Sequence, residues 1–423
     1  MQEGASIATT ETDRRGTIIF VNRYFWPDRS ATSQILTDVA FHLAQSGHKV
    51  EVVASRLSYE SDEGPYPAHE VHRGVEIYRV ATPSFGRGNI VGRLIDYLGF
   101  YVTAFFRTLG AARRGDVVVA KTDPPVLSWP IGIAARLKGA KRANWLQDLY
   151  PEVAEAFGVV GPDSRTARIV RALRNRSLRK ADSNIAIGER MADLLRANGV
   201  AERRIAVIPN MTDDETIRPI AAADNELRRK WGYADNHLVV GYSGNLGRAH
   251  EIETLLGAAE ELQLAGREDI RFLVIGGGFL RDRLEREIDV RMLRNIALKP
   301  YQPREQLGLS LTVPDVHWVS LKPELEGLIV PSKFYGAAAS GRPVIFIGSK
   351  DGELGGIIPE RECGAVVPVG DGAALAAILT AYADDPERRL AHGDNARALV
   401  ESGFNRASVL RQWDELAERL TAR

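Results

Sequence analysis

The chain has 423 residues, 44% hydrophobic and 26% charged, with Lys plus Arg and Asp plus Glu balanced at 55 each. That length implies two cores in a globular protein, and neutral charge without a recognition motif excludes a nucleic-acid binder. The one cysteine, Cys363, excludes an internal disulfide and suits a reducing cytoplasm, and no run reaches the ~20 apolar residues of a membrane-spanning helix. Residues 1–15 lack the apolar core of a secretory signal and are expected to form a disordered tail.

From Thr17 the pattern is strand, loop, helix, strand. Thr17–Asn22 is a buried strand that empties into the polar and aromatic loop Arg23–Ser33. Ile35, Leu36, Val39, Ala40 and Leu43 recur at helical spacing, Gly47 and His48 stop that helix, and Lys49–Ala54 is the next strand. This βαβ unit predicts a parallel sheet. Residues 57–75 are rich in Gly, Pro and acid and look like an insertion, after which Val75–Val80 is a strand. The run Ile95–Phe106 belongs to a helix; it holds Asp96 and is bracketed by Arg93 and Arg107. Asp116–Ala120 is a strand ended by Lys121-Thr-Asp-Pro-Pro125, because two prolines cannot continue it. Ala143–Leu146, Asn184–Ile187 and Ile205–Ile208 are further strands, and the polar stretch after Asn210 places a domain boundary near 215.

The pattern then restarts. Leu238–Tyr242 leads into Ser-Gly-Asn-Leu-Gly-Arg248, a helix covers about 252–264, and Arg271–Ile275 ends in Gly276-Gly-Gly278. Val316–Leu321 is another strand, followed by the polar turn Glu324–Gly327, a helix start at Pro331-Ser332, a stop at Gly341 and the strand Val344–Ile347. The expected fold class is α/β: two doubly wound, Rossmann-like domains, 16–215 and 216–405, facing across a cleft, with a last helix in 406–423 that packs back on the first.

A loop feeding a helix at the carboxyl end of parallel strands is where phosphates and nucleotides bind. Gly244-Asn-Leu-Gly247 fits that place, or is a plain turn. With Gly241 the spacing mimics a dinucleotide fingerprint, but the next strand ends in glycines rather than an acid, which disfavours a nicotinamide enzyme. Lys333 adds a positive charge in a first helical turn. Gly276–Gly278 leave room for a nucleotide or form a tight turn. Glu326, with Glu324 as a fallback, offers a carboxylate to hydroxyl groups, and the N–H groups from Gly327 to Ile329 offer donors for developing charge. Asp148 and Asp123, at strand ends, orient an acceptor hydroxyl, act as a base, or simply shape turns. Ser30, Thr32 and Ser33 cap a helix or bind an acceptor. The eight histidines show no metal-ligand spacing, so no metal is expected.

The segment Ser164–Lys180 holds seven basic residues and no acid, with Ile169, Val170, Leu173 and Leu178 in a helical pattern. It suits an anionic membrane surface, as does the Ile95–Phe106 run, or is an ordinary helix with a solvated face.

Val240-Gly-Tyr-Ser-Gly-Asn-Leu-Gly247, Ile275-Gly-Gly-Gly278, Asp315–Leu321 and Pro331-Ser-Lys…Ser340-Gly-Arg-Pro343 stand in the order seen in glycosyltransferase family 4. Asp148-Leu-Tyr-Pro151 and Ile208-Pro-Asn210 fit as well, so the resemblance covers roughly 17–400. It implies the GT-B fold, retention of anomeric configuration, no cofactor and no metal. It also implies a nucleotide-sugar donor, most simply a UDP-sugar, in the second domain and a lipid-diphosphate-linked glycan in the first. The chain looks most similar to bacterial O-antigen and capsule members, including the N-acetyl-L-fucosamine transferase type, which implies a cytoplasmic protein peripheral on the inner face of the membrane. On this resemblance Tyr301 receives the base, and Gly244, Asn245, Arg248, Gly277, Glu326, Gly327, Leu328 and Lys333 surround the donor. Glu326 and Asp148 are the catalytic candidates; Ser30, Thr32, Ser33 and Asp123 face the acceptor. The family usually has a second glutamate, binding the donor ribose, where Gly336 stands, and an Arg and a Lys where Asn245 and His250 stand. A sugar-nucleotide 2-epimerase of the same architecture, or a degenerate scaffold, are the alternatives.

Overall fold

The computed structural model describes residues 16–28, 30–58, 65–85, 90–162 and 164–422. The expected tail at 1–15 and the centre of the expected 57–75 insertion lie outside these residues. Two compact units are present: residues 16–145, 176–184 and 413–422 form the first, and residues 146–175 and 185–412 form the second.

Eight strands make the first sheet: β1 (Ile18–Val21), β2 (Val50–Ser55), β3 (His69–His72), β4 (Val75–Val80), β5 (Val117–Lys121), β6 (Lys141–Trp145), β7 (Ser183–Ala186) and β8 (Ile205–Val207). Their spatial order is β3-β4-β2-β1-β5-β6-β7-β8. β1 and β5 are buried along their whole length, which is why Ile-Ile-Phe-Val and Val-Val-Val-Ala are continuous apolar runs rather than alternating ones. Within the expected insertion, His69–His72 pairs antiparallel with β4 as an edge strand. His-Glu-Val-His carries too little apolar character to be seen as a strand, and its polar side chains suit a sheet edge. The chain turns to opposite sides after β1 and after β5, so these neighbouring strands form the sheet's switch point. The last helix, Arg406–Thr421, contributes its end to this unit. Trp413 packs on Trp145, with ring centroids 4.3 Å apart, and Asp414 meets His42 at 2.7 Å.

The second sheet comprises β9 (Leu238–Ser243), β10 (Ile270–Ile275), β11 (Ile296–Lys299), β12 (Val316–Ser320), β13 (Val344–Ile347) and β14 (Gly364–Val367). The order is β11-β10-β9-β12-β13-β14, and every pair is parallel. Its switch point lies between β9 and β12. Tyr242 and Trp318, from these two strands, stack 4.8 Å apart in the core with Leu255, Leu256 and Phe272. Gly241 is needed because a Cβ there would run into Pro314, so its spacing with Gly244 reflects sheet packing, not a dinucleotide fingerprint.

Candidate active site

The donor-side residues gather at the switch point of the second sheet. Gly244 follows β9 with φ +137°, a conformation natural only to glycine. Its N–H donates to Ile275 O (2.9 Å), and the N–H of Leu246 donates to Gly277 O (2.7 Å), which ties the Gly244–Arg248 loop to the end of β10. Among the described residues, the N–H groups of Asn245, Gly247 and Arg248 have no such partner. Lys333 reaches this loop from the connection after β12. Its stem lies along Gly244, where a Cβ would sit 3.0 Å from the Lys333 Cε. Burial lowers the Lys333 pKa, and no carboxylate pairs with it among the described residues. A half-buried ammonium beside a glycine loop at a switch point has the charge and the setting to bind an anion. The Lys333–Ala339 helix is only two turns long, and Ser332 lies in a helical conformation with no side-chain cap bond, which corrects the expectation that Ser332 caps it.

Asn245 and Arg248 stand on the same loop, both exposed. The Arg248 guanidinium lies 4.1 Å from the Phe279 ring centre and has no carboxylate partner among the described residues. His250, where the family has a lysine, is buried between Tyr242 Oη (3.1 Å) and Ser320 O (2.8 Å). Burial, then Lys333, pushes its pKa down to about 4, so at neutral pH it brings no charge to the site.

The glycine triplet forms a tight turn, one of its two expected readings. Cβ atoms at Gly276 and Gly277 would meet the Tyr301 ring at 3.0 and 3.2 Å, and one at Gly278 would meet Asn245 Oδ1 at 2.5 Å. The glycines thus let the Gly244 loop and the Tyr301 ring pack closely on the end of β10. Tyr301 is not a core residue: it is 59% exposed, lying on the glycines with the rest of its ring open, as a platform for a base needs.

Glu326 Oε2 accepts the N–H of Glu353 (3.2 Å) at the start of the Glu353–Glu360 helix, while Oε1 is buried with no partner. Burial, with the neighbouring Glu353 charge, raises its pKa against that N–H bond and Arg190. That oxygen keeps unused hydrogen-bonding capacity. Glu353, which the sequence reading missed, accepts the N–H groups of Glu189 (3.1 Å) and Arg190 (2.8 Å). An acid in the first turn of a helix following a strand, at Asp351-Gly-Glu353, was the available signal. Gly327 has φ +73°, and a Cβ there would lie 2.9 Å from Leu194 Cδ1. The expected row of free donors shrinks, because the N–H groups of Leu328 and Ile329 both donate to Leu325 O. Leu328 O accepts the N–H of Leu149 (3.0 Å), which brings the Asp148 turn and the Glu326 loop together. Asp148 itself is half-buried, beside Gln147, whose side-chain amide exchanges bonds with Asn210.

In the first unit, Asp123 stands after β5 and Arg23 after β1, joined by an N–H bond from Arg23 to Asp123 O (3.0 Å) at that sheet's switch point. Burial raises the Asp123 pKa, opposed by Arg23, Lys121 and Thr32. Thr32 Oγ1 lies 3.5 Å from Asp123 Oδ2. Ser33 is fully buried and donates to Asp28 O (3.0 Å), so it is withdrawn as an acceptor contact. Ser30 makes no cap bond, and its Oγ is buried without a partner. Among the described residues, no three His, Cys, Asp or Glu side chains come close enough to hold a metal ion.

The helix Arg165–Lys180 departs from the expected bilayer helix. Arg171 pairs with Glu152 (3.0 Å) and Glu155 (2.7 Å), and Arg174 pairs with Glu152 (2.6 Å). Leu178 is buried, and Ile169 is the exposed member of the apolar set. Among the described residues, no helix is long and apolar enough to cross a membrane.

Two mainly parallel, doubly wound α/β sheets, one in each half of the chain, are the architecture of the GT-B fold. The family model described as glycosyl transferase 4-like domain matches residues 31–211, and that of glycosyl transferases group 1 matches 223–399. WbjE of Pseudomonas aeruginosa, named as a glycosyltransferase, is 29% identical over 63% of this chain and 66% of its own length. WcaI of Escherichia coli K12, named as a colanic acid biosynthesis glycosyl transferase, is 25% identical over 78% of this chain and 82% of its own. The Anabaena protein HepE, solved with UDP and glucose, superposes with a TM-score of 0.70 at 18% identity, covering 96% of this chain and all of that one. The chain belongs to the GT-B glycosyltransferases and is a transferase enzyme.

Proposed function

We propose that the enzyme moves a hexose or N-acetylhexosamine, N-acetyl-L-fucosamine among the candidates, from a UDP-sugar to a lipid-diphosphate-linked glycan, in surface polysaccharide synthesis such as O-antigen assembly. One observation carries the donor assignment: the unpaired Lys333 ammonium against Gly244, between β9 and β12. Such a cation neutralises charge that builds on the departing UDP diphosphate, and the open N–H groups of Gly247 and Arg248 add donors to it. Tyr301 offers its exposed ring to uracil. Glu326 Oε1 accepts a sugar hydroxyl and fixes the ring. UDP is supported by the fold shared with HepE, and polysaccharide synthesis by the similarity to WcaI.

Transfer proceeds with retention by front-face attack, in which the leaving phosphate takes the acceptor proton, so no enzyme base and no metal are required. Asp148 orients the acceptor hydroxyl, and Asp123 with Thr32 binds the glycan. The protein works in the cytoplasm on the inner face of the membrane, where its acceptor lies. Incubation with a panel of UDP-sugars and membrane-extracted acceptor tests this: UDP release with a glycolipid of unchanged anomeric configuration is expected. An isomerised UDP-sugar without transfer would make it an epimerase, and failure of UDP to bind would overturn the donor assignment.

A further inference from the structure

The helix Ser128–Leu137 exposes Trp129, Ile133 and Leu137, spaced four residues apart, along one stripe. Beside it opens a cavity of about 350 Å³, ringed by Arg136, Arg142, Arg176 and Lys180. Every one of these residues belongs to the first unit. Arg142 lies 3.9 Å from Asp182; the other three have no carboxylate partner among the described residues. The cations repel one another, and Arg176 is the first cause of a lowered Lys180 pKa, followed by burial and then by Arg136 and Arg142. Four like charges around one hollow raise the local positive potential and favour an anion between them.

The neighbouring helix Ile90–Ala111 packs on Ser128–Leu137 and lies on the same face of the sheet, as right-handed crossovers require. It presents Leu94, Leu98, Val102 and Phe106 to solvent, all more than half exposed and spaced four residues apart. An uncharged stripe of this length on a surface helix marks an interaction face rather than a scatter of single apolar residues. An apolar stripe next to a cation-ringed hollow matches an anionic bilayer: charge below the headgroups, apolar side chains against the acyl boundary. An aqueous protein partner would supply no such layering of phosphate over hydrocarbon.

We propose that this cavity is a binding site for the phosphate of an anionic phospholipid, and that the two helices dock the first unit on the bilayer. The inference rests on the membrane-surface part of the function above, but not on the donor or acceptor assignments. It also moves the membrane contact away from Arg171 and Arg174, which are committed to Glu152 and Glu155.

The test is sedimentation of the full chain with vesicles of phosphatidylcholine alone or mixed with phosphatidylglycerol. Binding to the mixed vesicles only is expected. R136Q/R176Q/K180Q should weaken it on the order of 100-fold, with UDP affinity unchanged as proof of folding, and the Lys-for-Arg variant R136K/R176K should bind as the parent does. L98S/V102S should weaken it too, because the apolar stripe is the part that meets the acyl boundary. Equal binding by the parent and the glutamine variant overturns the site while leaving membrane association standing. Binding of neither vesicle by the parent overturns both. Equal binding of neutral and anionic vesicles overturns the phosphate assignment. Saturation by inorganic phosphate without any vesicle binding makes the cavity a free-phosphate site and overturns the lipid.

Discussion

Lys333→Met separates a ligand-binding ammonium from a structural one. Methionine keeps the stem that lies against Gly244 and removes the charge. A hydrogen bond to a charged group contributes about 1.5–3 kcal/mol, so UDP affinity should fall about 10- to 150-fold. Stability should move the other way. Burial lowers the folded pKa of Lys333 below its usual value of 10.5. The unfolded chain therefore holds this proton more tightly, and the penalty on the folded state is fully present below the folded pKa and relieved as pH rises toward 10.5. The variant without ligand should thus melt at or above the parent temperature at pH 7, and the gap should narrow near pH 10. Calorimetric titration with UDP and melting curves at both pH values supply the measurements. Unchanged UDP affinity refutes the diphosphate assignment; lower affinity accompanied by a lower melting temperature would make Lys333 a structural residue.

Three further outcomes are expected. Glu326→Gln keeps the bond from the Glu353 N–H but weakens the acceptor at Oε1, so kcat should fall about 10- to 150-fold by the same charged-bond magnitude while UDP affinity holds; an unaltered kcat would return Glu326 to a helix-capping role. Gly336→Ala should stabilise the protein by about 0.5–1 kcal/mol in urea denaturation, because Gly is costly inside a helix and a Cβ there meets nothing nearer than Leu311 Cδ1 at 3.6 Å; destabilisation would show that the position is more crowded than its geometry indicates. His250 and His317 are both held neutral by burial, each with its pKa pushed down to about 4. The unfolded chain protonates them first as pH drops from 6.5, so stability should decline between about 6.5 and 4, and His250→Asn should flatten that slope; an identical slope would contradict the burial of His250 as a neutral ring.

Most strands of both sheets were legible because buried parallel strands are unbroken apolar runs closed by Gly, Pro or Asn, as at β1, β9 and β13. β3 and β11 were not, since an edge strand such as His-Glu-Val-His needs only its partner's backbone. At the site, the convergence of Gly244 and Lys333 followed from strand order, which the sequence supports through its βαβ pattern. Contacts between distant segments did not follow. That Tyr301 packs against Gly276 and Gly277, or that Leu328 O takes the N–H of Leu149, is a matter of tertiary packing that no local pattern encodes. The same holds for Arg171 and Arg174, whose acids lie on the preceding helix at Glu152 and Glu155.

A crystal structure of the protein with UDP tests the central claim most directly. The diphosphate is expected within hydrogen-bond distance of Lys333 Nζ and the N–H groups of Gly247 and Arg248, with uracil on Tyr301. A nucleotide bound away from the carboxyl ends of β9 and β12, with Lys333 untouched, would contradict it.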